Sequence, residues 1–312
     1  MSYKGTREAF AAALMELCEK DKKYLIISAD SVKAARVVEL VEKYPECYVE
    51  VGIAEQCAVD VAAGLATVGK VPFVVTYCGF ITMRACEQVR TFVAYPGLNV
   101  KFVGFNAGML GGEREGVTHQ FYEDIGILRS IPDITIVCPS DDTQTYQATK
   151  AIANVNGPCY MRIGNNREPR VFTEDVPEFE LGKIRILKDY GNDVAVFTYG
   201  FITDRAIKAA EILKKIGIGV TLVEVHTIRP LDVMGISAVL RKCGKAITYE
   251  DHNINGALGS AVSEIIAEGC PAKLIRIGLN EFPGSGTPDD LMKRYNMDTD
   301  DIVKAARSLC EK

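Results

Sequence analysis

Short β-branched apolar runs alternate with helical patterns along most of the chain. The runs "YLIIS" (24–28), "PFVVTY" (72–77), "NVKFVGF" (99–105), "ITIVC" (134–138) and "CYMRIG" (159–164) predict strands. Between them, "TREAFAAALMELCEK" brings Phe10, Leu14, Leu17 and Cys18 onto one face at i, i+4, i+7, i+8 spacing and predicts a helix. Alternation of this kind builds an α/β fold, a mainly parallel sheet flanked by helices. The pattern lapses over residues 165–192, where prolines and charges replace periodicity, and this stretch reads as a linker. It restarts with "DVAVFTYG" (193–200), the helix "TDRAIKAAEILKKIG" with Thr203 as N-cap and Gly217 as terminator, and the strand "GVTLVEV" (219–225). The expectation is two consecutive α/β domains, residues 1–185 and 186–312, each a mainly parallel sheet flanked by helices.

The 312 residues are 48% hydrophobic and 25% charged, ordinary values for a globular protein long enough for two cores. No apolar run approaches the ~20 residues that span a bilayer, so no membrane role is expected. The N-terminal "MSYKGTREAF" lacks a basic segment followed by an apolar one. Ten cysteines occur singly, without a CxxC pair, which leads us to expect reduced thiols and a cytoplasmic location. A net charge of −5 argues against nucleic acid as a partner. The three histidines, His119, His226 and His252, are not spaced as ligands, and no metal site is expected from this chain's own residues.

Four polar stretches are candidates for chemistry. In "YVEVGIAEQCAVDVAAGLA" (48–66) a strand runs into a helix with Glu55 at the junction, where an acid serves the helix dipole or carries a reaction. "GGEREGVTHQ" (111–120) crowds glycines, acids, an arginine and His119 directly behind a strand, the edge at which α/β sheets hold ligands; a solvated glycine loop explains the composition equally well. "TYCGFITMRACEQVRTF" (76–92) presents Tyr77 and Phe80 at a strand end, as core or as a cofactor platform. "TYEDHNINGALGS" (248–260) places Glu250, Asp251 and His252 before a GxxG that opens a helix beside an anion or simply packs closely.

Together, "VGIAEQ" (51–56), "EGVTHQ" (115–120), "VCPSD" (137–141), "TIRPLD" (227–232) and "YEDHNINGALGSAVSE" (249–264) resemble, in family order, motifs of the transketolases, which use thiamine diphosphate. The similarity covers the last two of a full transketolase's three domains, the pyrimidine-binding domain and the C-terminal domain. The GDG motif of the family's diphosphate domain is absent from this sequence. The resemblance therefore implies the C-terminal subunit of a split transketolase. Such an enzyme moves a two-carbon ketol unit from a ketose phosphate or analogue to an aldose phosphate. It implies thiamine diphosphate as cofactor, with Mg²⁺ (or Ca²⁺) held mainly by an N-terminal partner subunit. It also implies a heterotetramer around a twofold axis, with residues 54–68 facing a protein interface.

The same resemblance assigns residues. Glu55 matches the glutamate that hydrogen-bonds N1′ of the aminopyrimidine, a task suited to a carboxyl group in a buried, apolar setting. Phe80 matches the ring that stacks on the pyrimidine, with Tyr77 beside it. His119 matches a histidine that contacts donor-sugar hydroxyls and relays protons. Asp30 matches an acid on the thiazolium side, and Arg7 an arginine that holds the substrate's phosphate. There are departures as well. Glu115 stands where aspartate is usual, in a loop one residue longer that brings in Arg114. Asn106 aligns with a histidine, Ala34 with a serine and Asn165 with an arginine, so the phosphate clamp is depleted. Lys33, Arg114, Arg162 and Arg167 are candidate replacements, and a substrate other than the standard pentose-phosphate pair is expected. Two alternatives stay open: a decarboxylating relative of the 1-deoxyxylulose-5-phosphate synthase or 2-oxo-acid dehydrogenase beta type, and a non-catalytic partner subunit.

Overall fold

Apolar runs that do not alternate with polar residues belong in strands covered on both faces. The computed structural model bears this out. It describes residues 3–173 and 176–311; Met1 and Ser2, Glu174 and Asp175 of the linker stretch, and Lys312 lie outside the described residues. The first sheet holds β1 (Tyr24–Ser28), β2 (Tyr48–Glu50), β3 (Val71–Tyr77), β4 (Lys101–Phe105), β5 (Thr135–Val137) and β6 (Cys159–Arg162). The second holds β7 (Arg185–Asp189), β8 (Val194–Thr198), β9 (Val220–Glu224), β11 (Lys245–Asn253) and β12 (Lys273–Leu279). Strands β1, β4, β8 and β9 are buried at every position, whereas β7 and β12, the outer strands of the second sheet, carry exposed residues. The two domains follow one another, each with a mainly parallel sheet and helices packed on it.

With β10 (Thr227–Arg229) included, the first sheet runs in the order β10-β5-β6-β4-β3-β1-β2, and the second β12-β11-β8-β9-β7. Two elements depart from the sequence reading. β10 (Thr227–Arg229), from the "TIRPLD" stretch of the second half, pairs antiparallel with β5 and extends the first sheet. β7 forms inside the stretch read as linker and pairs antiparallel with β9. Both are short outer strands whose positions are set by a distant partner and not by local periodicity. Thr203 is not an N-cap: it is the first residue of the helix Thr203–Lys215, and its hydroxyl donates to Gly200 O at 2.7 Å. Gly217, at φ +81°, does follow the end of that helix. Among the described residues no helix is long and apolar enough to cross a membrane.

A buried polar seam joins the two sheets. Arg162, at the end of β6, pairs with Asp124 (Nε to Oδ2, 2.9 Å) and donates to the Asp251 carbonyl of β11 at 2.8 Å. Tyr160 donates to the same Asp124 carboxylate at 2.6 Å. Gly126 N–H donates to His252 Nε2 at 3.2 Å, so the ring proton lies on Nδ1, which donates to Asn253 O. Burial pushes His252 down to about 4 and it stays neutral. Of the two readings of the GxxG, a helix opening beside an anion or close packing, the structure shows the chain's own acid there: Glu250 accepts from Leu258 N at 2.9 Å and Gly259 N at 2.8 Å, at the start of the helix Leu258–Ala267.

Burial raises the Glu250 carboxyl to about 7 against the pull of those amide donors. Unfolded, it titrates near the ordinary ~4.3. The folded state therefore holds the proton in between, and stability falls as pH rises from about 4.5 to about 7. Glu250→Gln should gain on the wild type between pH 5 and pH 7 by about 2 kcal/mol in urea denaturation; an equal offset at both values would contradict this.

Candidate active site

Most of the residues singled out from sequence meet at the C-terminal ends of the adjacent strands β4, β3, β1 and β2, the edge where open α/β sheets bind ligands. Asp30 follows β1 in a left-handed conformation (φ 51°), and its N–H donates to Glu50 Oε1 at 2.8 Å. After β2 the turn at Gly52 (φ 70°) swings the chain into the helix Glu55–Thr67. Glu55 is its first residue, and its carboxylate is only 2% exposed. Tyr77 ends β3, and Phe80 opens the π-helical turn Phe80–Arg84. Such turns concentrate at functional sites.

The aromatic cluster is tight. Tyr77 lies 4.6 Å from Phe105, 5.4 Å from Phe80 and 5.1 Å from the His119 ring, the last edge-on. Phe80 meets His119 at 5.6 Å and Phe121 at 5.3 Å. A side chain at Gly79 would fall 1.8 Å from the Phe121 ring, so only glycine lets Phe121 close against Phe80. His119 Nδ1 lies 3.0 Å from Thr118 Oγ1. One residue missed by sequence reasoning completes the group. Arg84 Nη1 donates to Glu55 Oε2 at 2.8 Å, and the guanidinium lies over the Phe80 ring, 4.1 Å from its centroid. The other Glu55 oxygen accepts no hydrogen bond among the described residues. A buried carboxylate beside an aromatic face suits a flat nitrogen heterocycle that hydrogen-bonds by its edge and stacks by its face, so these residues fit an aminopyrimidine. Arg84 lies at i+4 from Phe80, a spacing that could have found it.

The anion-holding residues fare differently. The loop after β6 caps the helix that carries Arg7: Asn166 Oδ1 accepts from Arg7 N and Glu8 N, and Glu168 from Thr6 N. Arg7 is buried, and burial lowers the proton affinity of its guanidinium, with the nearby Arg36 charge acting in the same sense. It donates to Gly164 O at 3.1 Å, Ala34 O at 2.9 Å and Asn106 Oδ1, and stands over Phe105. Three of its five N–H groups are thus spent within the chain. Arg162 is withdrawn as a replacement contact, because its guanidinium is locked into the buried seam with Asp124. Arg167 pairs with buried Glu113, which also accepts from Asn165 Nδ2 at 3.0 Å. Arg114 lies 3.7 Å from Glu113 on the outer, exposed turn that carries Glu115, and Lys33 is exposed.

The 106–122 loop is tied to the second domain. Asp251 accepts from Met109 N at 2.9 Å and Leu110 N at 3.2 Å; Gln120 donates to Gly284 O at 3.0 Å, and Gly286 N to Glu113 O at 3.0 Å. Among the described residues no group of three or more His, Cys, Asp or Glu side chains could hold a metal ion.

Comparison with known proteins agrees with this architecture. Residues 3–167 match the family model described as transketolase, pyrimidine binding domain, and residues 182–302 that of the transketolase C-terminal domain. The chain is 39% identical to a putative transketolase C-terminal section of Methanocaldococcus jannaschii, over 97% of this chain and 95% of that protein. It is 36% identical to a 6-deoxy-6-sulfo-D-fructose transketolase subunit of a Clostridium species, over 98% and 94%. A solved structure described as a split gene transketolase, inactive beta4 tetramer, superposes with a TM-score of 0.88 at 35% identity, covering 98% of both chains.

Asp251 is the tie between the second domain and the His119 loop. Asp251→Ala should accelerate amide exchange across 106–122 by about tenfold or more while the β8 and β9 amides stay protected. Uniform acceleration throughout the second sheet would mean global destabilisation instead.

Proposed function

The chain belongs to the transketolase family, and from that premise we propose that it is the C-terminal subunit of a split, thiamine-diphosphate-dependent transketolase, completed by a partner chain carrying the diphosphate-binding domain. The observation that carries the reading is the buried Glu55 carboxylate set beside the Phe80 ring, at the strand edge that also holds Asp30, Tyr77 and His119. Bound thiamine diphosphate supplies a nucleophilic thiazolium carbon able to carry a two-carbon ketol unit. Glu55 would hold a proton against N1′ of the aminopyrimidine, with Phe80 and Tyr77 fixing the ring's plane. Asp30 would line the thiazolium side, and His119 would contact donor hydroxyls and relay their protons. The partner subunit would hold the diphosphate and its Mg²⁺.

The substrate's far end follows from the altered clamp. Arg7 is largely satisfied internally, Arg162 is sequestered and Glu113 offsets Arg167. We therefore assign the enzyme a sugar whose terminal group is not gripped as an ordinary pentose phosphate, with Asn106, Arg114 and Glu115 near that end. One relative is named for a sulfonated sugar, an anion of different shape and charge from a phosphate. Assembly is supported by apolar side chains left in solvent around the helix Glu55–Thr67: Ile53 is 74% exposed, Val68 73% and Tyr95 88%, beside a groove lined by Ala63, Phe92 and Leu98. A twofold heterotetramer would cover them.

Two measurements test this. In the reconstituted complex, Glu55→Gln should lower turnover by roughly a hundredfold or more without altering assembly; undiminished turnover would point to a scaffold. Across a panel of ketose donors, kcat/KM for xylulose 5-phosphate with ribose 5-phosphate should fall about tenfold or more below the best substrate, the effect of losing an arginine fork. Equal efficiency would restore the ordinary substrate.

A further inference from the structure

Arg84 makes, in this chain, both of the contacts that the proposed cofactor ring needs. The ring's edge must meet the Glu55 carboxylate and its face must lie on Phe80. The Arg84 guanidinium donates to Glu55 Oε2 at 2.8 Å and covers the Phe80 ring at 4.1 Å. Like an aminopyrimidine protonated at N1′, a guanidinium is flat, cationic and rich in N–H donors. Tyr77, His119 and Phe121 pack around Phe80 through tilted or edge contacts at 5.3–5.6 Å. The position over Glu55 and Phe80 is held by a side chain that is 46% exposed.

We infer that Arg84 is an internal placeholder for the aminopyrimidine, a conclusion that rests on the cofactor reading above. Its guanidinium satisfies a buried carboxylate that would otherwise lack a partner, a costly state. Loading the cofactor requires Arg84 to leave, so the pair lowers cofactor affinity by the fraction of time the site is free. A purely structural ion pair predicts the opposite: its loss would loosen the site and weaken binding.

The test is calorimetric titration of thiamine diphosphate, with Mg²⁺, into the complex of this chain with its co-purified partner. Arg84→Met should bind about three- to tenfold more tightly than wild type, the range for a half-exposed ion pair with a ring contact. Arg84→Lys, which keeps the charge without the planar fork, should fall between them and serves if the Met variant does not fold. In the same complexes, Arg84→Met should lower the melting temperature of the cofactor-free form more than that of the loaded form. Equal or weaker binding by both variants would overturn the placeholder and leave the cofactor reading intact. Binding by neither wild type nor variants would overturn both.

Discussion

A guanidinium in a protein interior must be paired, and most of this architecture follows from where Arg162 finds its partners. Asp124 and the carbonyls of Phe121 and Asp251 surround it, so one side chain at the end of β6 draws together the short helix Asp124–Arg129, the 106–122 loop and β11 of the second sheet. Removing either charge from such a pair leaves the other stranded, at a cost of about 3–5 kcal/mol. The seam therefore holds the two sheets in one relative position. Through Asp251 it also fixes the loop on which His119 stands. The second domain also reaches the 106–122 loop directly, at Gly284 and Gly286.

At the site itself, charge is handled in two ways. Around Arg7, Asn106, Glu113 and Arg167, many hydrogen-bond donors are already met by acceptors within the chain, so fewer N–H groups remain for a phosphate. Around Glu55, a buried acid meets a half-exposed arginine over an aromatic face, a contact that can be exchanged for a ligand. Under the proposed function, the first arrangement bears on which sugar is accepted and the second on how the cofactor is admitted.

Much of this was legible in the sequence because its signals were local. The continuous apolar runs marked the buried parallel strands, and the step from strand to helix at Glu55 put an acid at the edge where ligands bind. Tyr77 and Phe80 were visible as aromatics at a strand end. What the sequence hid depends on contacts between distant residues. β10 joins the first sheet across the whole linker, and β7 emerges from a charged stretch because β9 supplies its hydrogen bonds. Arg162 looked available for substrate until Asp124, 38 positions away, claimed it. Sequence left the GxxG open between an anion site and close packing, and Glu250 fills the helix start.

The central claim is that this chain carries half of a composite cofactor site. The most direct measurement is calorimetric binding of thiamine diphosphate with Mg²⁺ to the chain alone and then to the chain with its co-purified partner. The account predicts no measurable binding alone and clear saturable binding in the complex. Tight binding to the isolated chain, or none in either state, would contradict it.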